Sequence, residues 1–169
     1  LAVRRLVALS EAVYEGTVTI EDLTGKLVAS ASEAAAAVEK GVIPVIVDPD
    51  ASICKALEPL AVVDCRMRKK PPDEGTDLAP LVIGLGPGFR AGVDCHAVIE
   101  TNRGHYLGRV IWEGTAQQDT GKPGKIAGQT TGRVLRAPVD GVLEEKAELG
   151  TLVKQGQVLA EVAGVPVRA

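Results

Sequence analysis

Two rhythms of apolar residues run along this chain. The first third mixes helical spacing with short β-branched runs. Residues 4–15 set Leu6, Val7, Leu9, Ala12 and Val13 at helix period, and Gly16 is a natural stop. Thr17–Ile20 predicts a short strand, Thr24-Gly25 a turn, and Lys26–Ala29 a second strand. Ser30-x-x-Glu33 has capping-box spacing ahead of a helix through Ala34–Lys40, closed by Gly41. Ile43-Pro44-Val45-Ile46-Val47 is a continuous apolar run ended by Asp48-Pro49, the pattern of a strand buried on both faces. A short helix over Ser52–Leu57 and a strand over Ala61–Asp64 follow. Strand–helix–strand alternation of this kind predicts an α/β domain with a parallel or mixed sheet over residues 1–75. Asp48 and Asp64 fall just past the carboxyl ends of two of its strands, where an acid either meets a ligand or caps the next turn.

Beyond the polar, Pro-rich stretch 66–79 the rhythm changes to short β-type runs between glycines. Leu81–Leu85 predicts a strand, and Ala97–Thr101 with His105–Ile111 a hairpin closed by Asn102-Arg103-Gly104. These define a β-rich middle segment, 76–124, whose end (Thr115–Gly124) reads as a linker. In the tail, 125–169, Arg136-Ala137-Pro138-Val139-Asp140-Gly141-Val142-Leu143 and the later Gly150 … Gly156 … Val162 resemble half of a biotinyl/lipoyl-type domain. The resemblance implies a barrel-sandwich in which Gly141, Gly150 and Gly156 permit tight turns. Thr130 stands where the carrier lysine belongs, and Lys122 and Lys125 come too early. No covalent biotin or lipoate is expected.

Composition narrows the function classes. A net charge of −3 offers no positive field for nucleic acid, and the basic run Arg66-Met67-Arg68-Lys69-Lys70 reads as a solvated loop. Aromatics make up only 2% of the chain, so branched aliphatics must fill the core. No apolar run reaches the roughly 18 residues of a membrane span, and the start carries no signal-peptide pattern. Three cysteines without a C-x-x-C pair point to a reducing, cytoplasmic setting. Homo-oligomerisation is left open.

Candidate chemistry concentrates in residues 84–105, which hold five glycines, both histidines and Cys95. Gly84, Gly86, Gly88 and Gly92 follow a predicted strand, where a glycine turn can present bare N–H groups to an anion. Arg90, Asp94, Glu100, Arg103 and His105 are the polar groups expected to join a ligand there. Gly86-x-Gly88-x-x-Ala91 fits the loose dinucleotide pattern, but the next run, Ala97-Val98-Ile99, reads as strand instead of the helix such a site requires. On a straight strand His96 and Glu100 lie roughly 13 Å apart, too far to share an ion, and Asp94 with His96 alone makes no metal site. Cys95, beside His96, is either a nucleophile activated by the imidazole or an inert core thiol. Cys54 and Cys65 read as core.

Several segments together resemble the YqeB family, accessory proteins associated with selenium-dependent molybdenum hydroxylases. They are Ala2–Arg5 and Glu11–Gly16, Ala79–Phe89, Ala91–His105, Leu107–Val110 and the Ala-Pro-x-x-Gly tail. The resemblance implies a Rossmann-like N-terminal part followed by a lipoyl-like tail, and a role in selenium or molybdenum cofactor handling. The partner it implies is the hydroxylase or its cofactor machinery. It supplies no catalytic residues; the cofactor stays unknown. Members start with a Gly-rich strand and turn absent here, so the resemblance implies a chain truncated at its N-terminus. Three readings stand: a binding factor working through 84–105, an enzyme acting on a selenium or sulfur species through Cys95 and His96, and a docking scaffold.

Overall fold

The computed structural model describes residues 6–72, 75–121, 124–125, 128, 130 and 134–169. They form two compact units, residues 1–119 and 120–169.

The first unit starts with a single 3-10 turn (Leu9–Glu11) running into a one-turn helix α1 (Ala12–Glu15). The long helix expected over 4–15 is therefore short, and Arg4 and Arg5 lie outside the described residues. Gly16 ends it as foreseen, with φ +77°. Strands β1 (Thr17–Ile20) and β2 (Leu23–Leu27) form a hairpin with Ile20 opposite Leu23. The turn therefore falls at Glu21-Asp22, with Thr24 and Gly25 inside β2. Gly25 is inside the strand for a packing reason: a Cβ there would stand 3.2 Å from Leu9 Cβ. Helix α2 (Ala31–Glu39) keeps its predicted start. Ser30 Oγ accepts from Glu33 N at 3.2 Å, and Glu33 Oε2 reaches back to Ala29 N at 3.0 Å.

The expected Rossmann-like sheet does not form. Strand β3 covers only Ile43–Val45, parallel to β2, and its sheet ends there in the order β1-β2-β3. Pro44 has no N–H to give to a further strand, which confines β3 to an edge. Instead of lying buried on both faces, the run stays open to solvent at Ile43 and Val47. After α3 (Ile53–Leu57) the chain begins a separate sheet. Its strands β4 (Ala61–Asp64), β5 (Leu81–Leu85), β7 (Ala97–Ile99) and β8 (Val110–Ile111) run in the order β4-β5-β7-β8. The first three are mutually parallel, and β8 returns antiparallel. A two-stranded ribbon, β6 (Arg90–Ala91) with β9 (Gly114–Thr115), lies beside them in sequence and pairs Ala91 with Gly114. β4 and β5 pair across the 75/76 boundary drawn from the sequence, residue for residue from Ala61–Leu81 to Asp64–Gly84.

The core of this unit is Val82, Phe89, Ala91, Cys95, Val98 and Ala116, backed by Leu78, Ala79 and Ile111. One ring and a set of small aliphatics fill it, as the aromatic-poor composition requires.

The second unit holds a three-stranded antiparallel meander, β10 (Leu143–Glu145), β11 (Val158–Val162) and β12 (Val165–Arg168). No sheet among the described residues closes, so the expected lipoyl-like barrel-sandwich is not formed. Among the described residues, three strands pair here. Val142 and Leu152 remain 79% and 97% exposed. Gly150 and Gly156 do make left-handed turns (φ +83° and +80°). Thr130 is described and exposed, whereas Lys122, Gln129, Thr131 and Gly132 lie outside the described residues.

Candidate functional site

The glycine-rich segment is the connection from β5 through β6 to β7, and two of its glycines, Gly84 and Gly88, serve close packing. Gly84 lies directly under the Phe89 ring, and an added Cβ would fall inside it. Gly88 lies under the backbone of the basic run. A Cβ there would run into the Arg68 carbonyl and stand 3.0 Å from the Lys70 carbonyl oxygen. Gly86 (φ +88°) gives its N–H to Ile99 O at 3.0 Å. The basic run is thus laid across the glycine turn. Arg66 grips Asp64, and Lys69 pairs with Asp119 at 2.6 Å.

The turn offers few amides to an anion. Arg90 N donates to Asp94 Oδ2 at 2.8 Å, while Val93 N and Asp94 N donate to Arg90 O. Gly92 N donates to Cys95 O, and His96 N to Val82 O, both at 2.8 Å. Asp94 therefore closes its own turn. Arg90 has an exposed side chain at the edge of the β6–β9 ribbon.

His96 extends the ladder between β5 and β7. Its backbone N–H donates to Val82 O, and its Nδ1 accepts from Val82 N at 2.9 Å. That bond fixes the hydrogen of the neutral ring on Nε2. Cys95 is wholly buried, next to His96 in sequence but inside the core. Burial pushes its thiol pKa up, and the charges of Asp94 and Asp64 push the same way. Amide contacts from Gly84 and Ala97 oppose them only in part. A raised pKa and no access are the conditions of an inert thiol. Cys65, expected in the core, is exposed, and Cys54 is half-buried.

Glu100 is 3% exposed, yet charged-type bonding satisfies it fully. Oε1 accepts from Asn102 N at 2.7 Å and Oε2 from Gln117 N at 2.8 Å. Burial alone would raise its pKa, but the amides of Gln117, Asn102 and Thr101 outweigh this and bring it below the ordinary 4.5. Its backbone also pairs with Arg109 O and Gly108 N. One residue thereby ties the loop after β7 to the segment after β9.

That loop is longer than the three-residue turn expected. β7 and β8 pair only through Val98–Ile111 and Ile99–Val110, leaving residues 100–109 to form a broad excursion. His105 is not opposite Thr101. It sits in the loop with its ring edge-on to Tyr106 at 5.1 Å, and the Arg109 guanidinium lies 5.5 Å from the Tyr106 centroid. Arg103 is exposed nearby in the same loop. Asp48 and Asp64, the two strand-end acids, take local roles. Asp48 caps α3 by accepting from Ile53 N (2.7 Å) and Ser52 Oγ (3.0 Å). Asp64 holds Arg66.

Sequence reasoning passed over the neighbouring groove. It has a volume of about 590 Å³ and is lined by Glu100, Tyr106, Arg109, Trp112, Glu113 and Gln117 among others. The available signal was placement of scarce residues: the chain has one Trp and two Tyr, and Trp112 and Tyr106 are 68% and 48% exposed here. Among the described residues no three His, Cys, Asp or Glu side chains gather as metal ligands, and no helix is long and apolar enough to cross a membrane.

Set against known proteins, the chain is 49% identical over 167 residues to an uncharacterized protein, YqeB, of Escherichia coli K12. The match takes in 99% of this chain and 31% of that protein, so the chain spans about a third of the curated relative's length. This similarity supports the YqeB family resemblance drawn from the sequence. No family model and no solved structure matches.

Proposed function

We propose that this chain is a non-catalytic binding part of an accessory factor in the maturation of selenium-dependent molybdenum hydroxylases, acting through the face formed by residues 100–117. The family resemblance supports the accessory role. One contrast on this surface carries the binding reading. Cys95 lies in the core, and His96 Nδ1 and both Glu100 oxygens accept from internal amides, whereas Arg103, Tyr106, Arg109 and Trp112 face solvent. Exposed Arg, Tyr and Trp are the residue types that dominate binding energy at recognition surfaces.

The test uses the full-length protein in cells that lack it, with hydroxylase activity in extracts as the readout. Arg103→Ala and Trp112→Ala should each cut activation at unchanged protein level and unchanged melting temperature. Normal activation by both variants would overturn the proposal. Gly88 is a poor probe, because any side chain there displaces the Arg68–Lys70 backbone.

A further inference from the structure

We infer that the groove between the 100–109 loop and β9 binds a planar heteroaromatic ring that carries an anionic group, a mononucleotide-type ligand. This inference rests on the proposed binding role and names the chemistry the face would take.

Three features converge. First, the groove's volume of about 590 Å³ falls within the usual ~300–1,000 Å³ of small-molecule sites. Second, its two aromatic side chains are spent outside the core in a chain whose buried ring is Phe89 alone. An indole and a phenol on one open groove are stacking surfaces for any flat ring. Third, the charges are sorted. The 102–109 loop carries Arg103, His105 and Arg109 without an acid, in a chain of net charge −3. Arg109 lines the groove with its guanidinium over the Tyr106 ring at 5.5 Å, a group suited to a phosphate or carboxylate.

The acids in the groove do not cancel this. Both Glu100 oxygens are taken by the amides of Asn102 and Gln117 and face inward. Glu113 is exposed, and its carboxylate suits the ring N–H donors of a heteroaromatic base. Stacking, an anion clamp and an acceptor for ring N–H groups specify a charged heterocycle better than they specify a hydrocarbon or a bare anion.

Trp112 is the chain's single tryptophan, so its fluorescence reports on the groove directly. Titration of the protein with guanosine monophosphate or adenosine monophosphate, corrected for absorbance, should quench that emission saturably. Guanosine should bind on the order of tenfold more weakly, and ribose 5-phosphate should not quench. Arg109→Gln should lower mononucleotide affinity about tenfold while leaving the circular dichroism spectrum unchanged. Absence of saturable quenching by either mononucleotide overturns the inference. So does equal binding of ribose 5-phosphate, or indifference to Arg109→Gln. Hydroxylase activation that depends on Arg103 without any such binding would also overturn it, while leaving the proposed function standing.

Discussion

Replacing Glu100 by Gln removes one charge and changes almost no volume, so it isolates the staple beside the groove. The carboxylate accepts from two amides, Asn102 N at 2.7 Å and Gln117 N at 2.8 Å. A glutamine can accept one of them, but its own NH₂ must face the other. One charge-assisted bond becomes neutral, and one amide donor loses its acceptor, at a cost of ~1–3 kcal/mol for the orphaned group. Both bonds are part-buried, so water reaches the freed amide in part and the lower half of that range applies. About 1–2 kcal/mol is expected, or roughly 0.5–1 M in urea midpoint for a unit of this size.

The pH dependence has a definite sign. Glu100 has its pKa depressed on folding below the ordinary 4.5, so its contribution is fully present above that value. It is lost as the pH falls through the lower, folded pKa. The gap between wild type and Glu100→Gln should therefore be widest at neutral pH and shrink in acid. Urea unfolding followed by circular dichroism at pH 7 and in acid measures it. Amide exchange should speed at Asn102 and Gln117 in the variant. Equal midpoints at pH 7, or a gap that grows in acid, would refute the reasoning.

Gly88→Ala and Gly92→Ala separate packing from backbone conformation. The first drives a Cβ into the Arg68 and Lys70 carbonyls and should leave little soluble folded protein. The second has φ +84° and open space, so it should cost only ~1 kcal/mol in thermal unfolding. Thiol alkylation in native buffer at mildly alkaline pH should modify Cys65 first and leave Cys95 untouched until denaturant is added, read by peptide mass spectrometry. Native-state labelling of Cys95 at the rate of Cys65 would contradict its place in the core.

What the sequence made legible was local. Gly16, the Ser30–Glu33 cap, β4, β5 and the Asp48 turn cap depend on neighbours a few residues away, and each was readable from spacing. Sheet membership was not. Nothing near Ile43–Val47 says whether a strand from further along will pair with it, although Pro44 carried the warning that its sheet would stop there. The 84–105 segment is dense in chemistry by composition, but residue types alone do not distinguish glycines that admit packed atoms from an anion cradle. Those atoms are Phe89 over Gly84, and the Arg68–Lys70 backbone laid over Gly88. Glu100 looked like a ligand for the same reason. Its partners are amides, which no residue pattern announces, and one of them comes from Gln117. The groove is not legible in the sequence because Tyr106 and Trp112 lie before and after β8 and share it only through the fold.

Gly84 and Phe89 have a consequence for how this sequence can drift over evolutionary time. The ring occupies the space a side chain at 84 would need, so the two positions share one volume. A larger residue at 84 becomes acceptable only once 89 has shrunk, and a smaller residue at 89 opens a void that a side chain at 84 can enter. Substitution histories at these two sites should therefore be coupled, with neither change fixed long before the other. In a core with a single ring, that pair sets the order in which repacking can occur.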